Sequence, residues 1–161
     1  MKNIILNKFL LLAITLFIVS SCGISRVNYN YEHRCIGTAR QGVQLVEVFS
    51  YGKTVGKAIK ASKRNAVHAV LFKGLQCSDG HQPPIARDSD AEKHKAYFEE
   101  FFSSGKYLQY VTLSGDGTID PSDRIKTDVG YKVGIDVAVN YDALRKKLES
   151  DGIVRSLNHG F

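Results

Sequence analysis

The sequence predicts an α+β fold in which helices pack on one face of a mainly antiparallel sheet. Two observations support this prediction. Apolar residues recur at three- and four-residue steps over about residues 53–72, which is the period of an amphipathic helix. Apolar and polar residues then alternate from Ile125 to Tyr141, which is the period of a strand with one buried face. With the shorter elements around them, the expected order is roughly β-α-α-β-β-α.

The first half of the domain is expected to hold a strand, a helix and a loop. The strand is centred on residues 43–49 and ends at Gly52. The helix that follows has an alanine-rich apolar face and ends at Gly74. Residues 76–90 are expected to form a loop, because Pro83-Pro84 breaks regular structure.

The second helix and the next strand are predicted from weaker signals. Asp90 is expected to cap a helix over roughly residues 91–103, and residues 106–113 are expected to form a strand. The alternating run after them would be ~56 Å long at ~3.3 Å per residue, which is too long for a small domain. We therefore expect a bend, a bulge or a break into two strands at Gly130 or Gly134.

A short helix is predicted to close the domain. Leu144 and Leu148 are spaced one helical turn apart, and Gly152 is suited to end the helix. Ile153 would then pack back on the last turn.

The first 22 residues have the pattern of a bacterial lipoprotein signal. Lys2 and Lys8 precede an apolar run over residues 9–19, which is too short to span the ~30 Å hydrocarbon core as a helix. The run ends in Val19-Ser20-Ser21-Cys22, which resembles the lipobox, the motif whose cysteine is acylated while the preceding peptide is removed. The alternatives are an ordinary cleaved signal with a free cysteine and an uncleaved helical anchor.

The lipobox-like motif predicts how the chain is organised. Residues 1–21 are expected to be a signal peptide, Cys22 to carry lipid, residues 22–32 to be a tether and residues 33–161 to form one periplasmic domain. Several acyl chains on one residue suffice for stable anchoring. Gly23 replaces the aspartate that retains some lipoproteins in the inner membrane, which favours the outer membrane.

The net charge of the chain excludes few classes of binding partner but favours some of them. The chain has 22 basic and 16 acidic residues, and two of the basic ones precede Cys22, which leaves a net charge of +4 after it. This modest excess fits proximity to anionic lipid or cell-wall polymer. Nucleic acid is not an expected partner, since the predicted compartment does not contain it.

The cysteines allow three interpretations. With Cys22 assigned to lipid, Cys35 and Cys77 remain, and an oxidising compartment favours a disulfide between them. The same cysteines with His33 and His81 form a permissible tetrahedral zinc set. A cysteine nucleophile would need a histidine and an orienting group, and no nucleophile context surrounds Cys77. We expect no enzymatic activity, no cofactor and no bound metal.

Two sets of side chains are candidate partner surfaces. A basic stripe runs opposite the apolar face of the first helix and consists of Lys53, Lys57, Lys60 and Arg64. It is interpreted as a solvated face or as a contact for lipid headgroups or an acidic partner. The second set is aromatic and consists of Tyr97, Phe98, Phe101 and Phe102. Aromatics at helical spacing are typical of a core, but these four cannot all face inward.

Two stretches carry a resemblance to a known kind of domain. One runs from Gly37-Thr38-Ala39 through the spaced alanines Ala58, Ala61, Ala66 and Ala69. The other is the alternating strand that leads into Val139-Asn140-Tyr141-Asp142-Ala143-Leu144. Together they resemble small outer-membrane lipoproteins of the LPP-twenty type and the N-terminal domain of flagellar assembly lipoproteins. The resemblance implies a small α+β periplasmic module that takes part in envelope assembly, and it implies no catalytic residues.

The function expected from these features is that of a membrane-anchored periplasmic lipoprotein. It would act as a non-enzymatic structural or assembly factor and would bind another envelope protein. One alternative is a metal- or thiol-dependent envelope protein that uses Cys35, Cys77, His33 and His81. The other is a binder of glycans or small molecules.

Overall fold

Seven antiparallel strands form two sheets in the computed structural model, which describes residues 29–78 and 80–156. In chain order the strands are β1 (Tyr31–Arg40), β2 (Val43–Gly52), β3 (Leu75–Cys77), β4 (Gly80–Gln82), β5 (Val111–Leu113), β6 (Arg124–Thr127) and β7 (Gly130–Asn140). The main sheet has the order β1-β2-β7-β5, and β6 pairs with β7 beyond the end of β5. Strands β3 and β4 form a separate hairpin.

Helices cover one face of the main sheet. They are α1 (Val55–His68), which continues as a π-helical turn (Ala69–Lys73), α2 (Asp88–Lys93), α3 (Lys95–Ser103) and α4 (Tyr141–Ser150). Two 3₁₀ turns add Lys106–Tyr110 and Pro121–Asp123. The predicted fold class, an antiparallel sheet with helices on one face, is confirmed.

Helix α1 packs directly on strands β2 and β7. Ala58 and Ala66 of its alanine-rich face are fully buried, and small side chains allow the helix to approach the sheet closely. Two buried polar contacts hold the helix in place. Ser62 Oγ donates to the carbonyl oxygen of Val48 at 3.4 Å, and Asn65 Nδ2 donates to Ser50 Oγ at 2.8 Å. The side chains of β2 that face α1 are therefore the even-numbered ones.

The N-terminal strand differs from the sequence prediction. The strand predicted around residues 43–49 is confirmed as β2, but β1 precedes it and forms a hairpin with it. The folded domain begins before residue 33, because β1 begins at Tyr31 inside the expected tether, and Tyr31 is buried. The register of β1 shifts near Gly37, and such a bulge interrupts the period-two pattern by which a strand is recognised.

The middle of the chain is more broken than expected. The helix predicted over residues 91–103 is two helices, because His94 adopts a non-helical conformation between them. Asp90 was expected to cap that helix, but it lies inside α2 and accepts a hydrogen bond from the backbone N–H of Arg87 at 3.1 Å. Of the strand predicted over residues 106–113, only Val111–Leu113 is a strand, and Lys106–Tyr110 form a 3₁₀ turn. The predicted loop over 76–90 includes the β3–β4 hairpin.

The C-terminal half agrees with the prediction. The long alternating run breaks into β6 and β7, and the turn between them ends at Gly130. Gly130 has a φ of +149°, and a Cβ there would meet the backbone oxygen of Gly52. Helix α4 follows, and the backbone N–H of Ile153 donates to the carbonyl oxygen of Leu148 at 2.9 Å. Ile153 is buried, as predicted.

Candidate functional site

The two cysteines that were predicted to pair form a disulfide. It joins β1 to β3 across 42 residues of sequence, with the Cα atoms of Cys35 and Cys77 4.9 Å apart. The zinc and thiol interpretations need these sulfurs as thiolates, and the disulfide removes them. Of the two histidines in that set, His33 donates from Nε2 to the carbonyl oxygen of Gly74 at 3.3 Å, and His81 is exposed on β4. Within residues 29–78 and 80–156, no group of three or more His, Cys, Asp or Glu side chains is arranged to hold a metal ion.

The predicted basic stripe is only partly a solvated face. Lys53, Lys57 and Lys60 are exposed, whereas Arg64 is half-buried. The guanidinium carbon of Arg64 lies 5.4 Å from the centre of the Tyr29 ring, and its Nε is buried without a hydrogen-bond partner among the described atoms. Placing Arg64 in a solvated stripe was therefore wrong, because Tyr29 covers it. Lys63, which was not in the stripe, is half-exposed.

The aromatic set of α3 belongs mainly to the core, as its spacing predicted. Phe98 and Phe101 are buried, and Phe102 is half-buried against the core. Tyr97 is the member that points elsewhere, and its hydroxyl donates to Asp151 Oδ2 at 2.7 Å. Burial and the neighbouring carboxylate of Asp151 both raise the pKa of Tyr97. This side chain joins α3 to the end of α4.

An aromatic cluster around His68 was not predicted. The Tyr29 ring stacks on the His68 ring with centroids 3.8 Å apart, and the hydroxyl of Tyr31 shares a hydrogen bond with His68 Nδ1 at 2.8 Å. The Phe72 ring lies 5.0 Å away. Burial, reinforced by the positive charges of nearby basic side chains, lowers the pKa of His68 to about 4. The sequence signal that could have indicated this cluster is the period-two spacing of Tyr29, Tyr31 and His33.

Among the described residues, the helices leave the second face of the main sheet partly exposed. We define the open sheet face by its apolar members, Leu45, Phe49, Tyr51 and Ile125, and its charged members, Glu32, Arg34, Glu47, Lys132 and Asp136. Their neighbours in sequence on β2 face α1, so these side chains point away from the helices. Tyr51 is 42% exposed and Ile125 is 49% exposed. Large apolar side chains at this exposure leave a surface that another molecule could cover.

Two ion pairs lie among the apolar side chains of the open sheet face. Arg34 Nη2 lies 2.7 Å from Glu47 Oε2, and Lys132 Nζ lies 2.8 Å from Glu32 Oε1. The Lys132 ammonium also lies 5.3 Å from the centre of the Phe49 ring. The cation–π contact and the hydrogen bond to Glu32 position the Lys132 side chain over β2 and toward β1. The hydrogen bond also raises the pKa of Lys132. Four charged side chains of the open sheet face are therefore paired with one another.

The Phe49 ring packs directly on Gly134, which has no side chain. A Cβ at Gly134 would meet the Phe49 ring directly. We therefore expect Gly134→Val to displace the ring and to lower the free energy of unfolding by about 1 kcal/mol, measured by urea unfolding. Ala138→Val, on the same strand and face, is the matched control and should change stability by less. Equal stability of the two variants would contradict the close packing of Phe49 on Gly134.

Two open depressions lie on the described part of the chain. One depression of about 120 Å³ is lined by Gln44, Cys77, Gly80, His81 and Gln82. A second of about 340 Å³ lies at the far end of the sheet between β1 and β5. Neither has the enclosed apolar walls with a few convergent polar groups that are typical of small-molecule sites. The open sheet face is thus the larger candidate for recognition.

The signal and lipid-attachment predictions concern residues 1–28, including Cys22, which lie outside the described residues. Among the helices that are described, none is long and apolar enough to cross a membrane. Comparisons of this chain with protein-family models, with curated proteins and with solved structures found no match.

Proposed function

We propose that this protein is a lipoprotein held on the outer membrane by lipid at Cys22, with its domain in the periplasm. In this proposal it is a non-enzymatic structural or assembly factor that binds another envelope protein through the open sheet face. The observation that carries the proposal is the exposure of large apolar side chains on that face, with Tyr51 42% and Ile125 49% exposed, among two ion pairs. Aromatic side chains are enriched at protein–protein interfaces, where polar groups surround them.

The dimensions of the open sheet face favour a macromolecular partner. It spans four strands, which lie ~4.8 Å apart, and four side-chain rows, at Leu45, Glu47, Phe49 and Tyr51, which lie ~6.8 Å apart along a strand. The face is therefore roughly 15 Å across the strands and roughly 20 Å along them. This is an extent that fits within a standard interface, which has ~800 Å² per partner in total.

Two further features support the envelope assignment. The disulfide between Cys35 and Cys77 fits an oxidising compartment such as the periplasm. The lipobox-like motif and the resemblance to lipoprotein domains of the LPP-twenty type fit an assembly role at the outer membrane.

The experiment that tests this function is crosslinking of the native lipoprotein in cells, followed by mass spectrometry of its adducts. We expect one reproducible protein adduct, and we expect Tyr51→Ser to reduce its yield about fivefold, because truncating an aromatic anchor typically costs more than 1 kcal/mol of binding energy. Leu108→Ser is the matched control, since Leu108 is also 42% exposed but lies on a 3₁₀ turn. It should leave the yield unchanged.

Two results would count against the proposal. An adduct that forms equally well with Tyr51→Ser would remove the open sheet face as the interface. A complete absence of protein adducts, with adducts only to lipid or peptidoglycan, would remove the assembly role itself.

A further inference from the structure

The outer side of α1 carries lysines that form no ion pair with any described residue. We define the lysine face as Lys53, Lys57, Lys60 and Lys63. Helix α1 contains no acidic residue over Val55–His68. The described residues contain six ion pairs, and none involves the lysine face. Its positive charge is therefore uncompensated by ion pairing within this part of the chain.

The chain enters the domain beside the lysine face. Tyr29 is the first described residue, and its ring contacts both Arg64 and His68 of α1. Arg64 lies one turn from Lys60 and two turns from Lys57 on the same side of the helix. Whatever holds the chain upstream of Tyr29 therefore holds it next to these lysines.

The distance to the proposed anchor is short. Seven residue steps separate Cys22 from Tyr29, and a fully extended chain covers ~25 Å over that length. The side of the domain around Arg64 must then stay within about that distance of the membrane surface. At physiological ionic strength the Debye length is ~8 Å, so lysines drawn this close enter the range of headgroup charge.

We infer that the lysine face contacts the anionic phospholipid headgroups of the membrane leaflet that holds the anchor. This inference rests on the proposed anchoring at Cys22. The charge of the face, the absence of acidic residues from α1 and the position of the face beside the chain entry all match an anionic lipid surface.

The contact has a consequence for orientation. The lysine face is on the outer side of the helix layer, and the open sheet face is on the opposite side of the sheet. With the lysines against the headgroups, the open sheet face points away from the membrane. The proposed protein partner then reaches it without competing with lipid.

The test uses the purified lipidated protein in vesicles of mixed phosphatidylglycerol and phosphatidylcholine. A fluorophore is attached to Gly56→Cys on the outer side of α1, where a Cβ meets no atom within 4 Å, or to Asp136→Cys, an exposed site on the opposite side of the sheet. A quencher is carried on the lipid headgroups. We expect quenching at position 56 to exceed that at position 136 at least about twofold, and the difference to shrink in high salt.

A charge variant separates lipid contact from simple proximity to the anchor. Lys57→Gln with Lys60→Gln and Lys63→Gln should remove most of the difference between the two labels. A matched control neutralises three exposed lysines elsewhere, Lys93, Lys95 and Lys146, and should preserve the difference. Vesicles of phosphatidylcholine alone should behave like the charge variant.

The outcomes distinguish this inference from the function on which it rests. Equal quenching at both positions in anchored protein would overturn the lipid contact and leave the proposed function standing. A difference that survives neutralisation of Lys57, Lys60 and Lys63 would also overturn it. An unmodified Cys22 in the mass spectrum, with protein that does not float with vesicles, would overturn the anchor and this inference together. Capture of an acidic protein by the lysine face, with no quenching difference, would assign the face to that protein instead.

Discussion

A variant with serine in place of both Cys35 and Cys77 is expected to unfold with a free energy about 4 kcal/mol lower than that of the wild-type domain. The disulfide closes a loop across 42 residues of sequence, and the chain-entropy model gives this value for a loop of that length. The midpoint of thermal unfolding should fall by roughly 10–15 °C in a domain of this size. Thermal and urea unfolding measure the change, with residues 1–21 removed and Cys22→Ser present in both proteins.

A reductant provides the control for this prediction. Reduction should destabilise the wild-type domain by the same amount and should leave the double-serine variant unchanged. Equal stability of oxidised and reduced wild-type protein would contradict the disulfide. Because the bond ties β3 to β1, its loss should loosen the β3–β4 hairpin before the sheet itself opens.

Sequence reasoning succeeded where one face of an element is buried and the other is solvated. Helix α1, strand β7 and helix α4 each have such a face, so burial imposes the period of the element on the sequence. Gly74 and Gly152 then mark where the helices end, because a glycine tolerates the backbone conformation that terminates a helix. The disulfide followed from the compartment and from the number of cysteines left after Cys22.

The sequence predictions that were wrong also failed for local physical reasons. In β1 the bulges shift the register, so inward and outward positions no longer alternate. The 3₁₀ turn at residues 106–110 buries Tyr107 and Tyr110, and this aromatic-rich segment reads like a strand when only composition is considered. The burial of Arg64 depends on Tyr29, which is distant in sequence and was assigned to a tether.

The open sheet face shows why a candidate site is harder to predict than a fold. Strand β2 has apolar residues on both faces, with Val46 and Val48 on one and Leu45 and Phe49 on the other. Such a sequence fits a strand buried on both faces as well as a strand with an exposed recognition surface. Only the position of α1 decides which face is free, and that position depends on contacts between elements far apart in sequence.

The stability of the domain is expected to fall on mild acidification, and His68 should be the main cause. Burial lowers the pKa of His68 to about 4, from 6.5 in an unfolded chain, together with nearby positive charges. These charges are on Lys73, Arg64 and His33, and they repel an imidazolium. The folded state therefore favours neutral His68. Its contribution is fully present above pH 6.5 and is lost as the pH falls toward 4. The loss should reach about 2 kcal/mol, after a discount for the partial exposure of the ring.

His68→Gln tests this prediction, because glutamine can still hydrogen-bond the hydroxyl of Tyr31 but does not titrate. Urea unfolding between about pH 7.5 and 4.5 measures the slope of stability, in a range where most carboxylates stay ionised. In His68→Gln, most of the dependence of the free energy of unfolding on pH should be lost. The smaller dependence that remains should come from His33, whose pKa is also lowered by burial. His81→Gln, at an exposed histidine, is the control and should keep the wild-type slope. A wild-type slope in His68→Gln would contradict the packing of Tyr29 and Tyr31 around a neutral imidazole, and with it the position of the chain entry beside the lysine face.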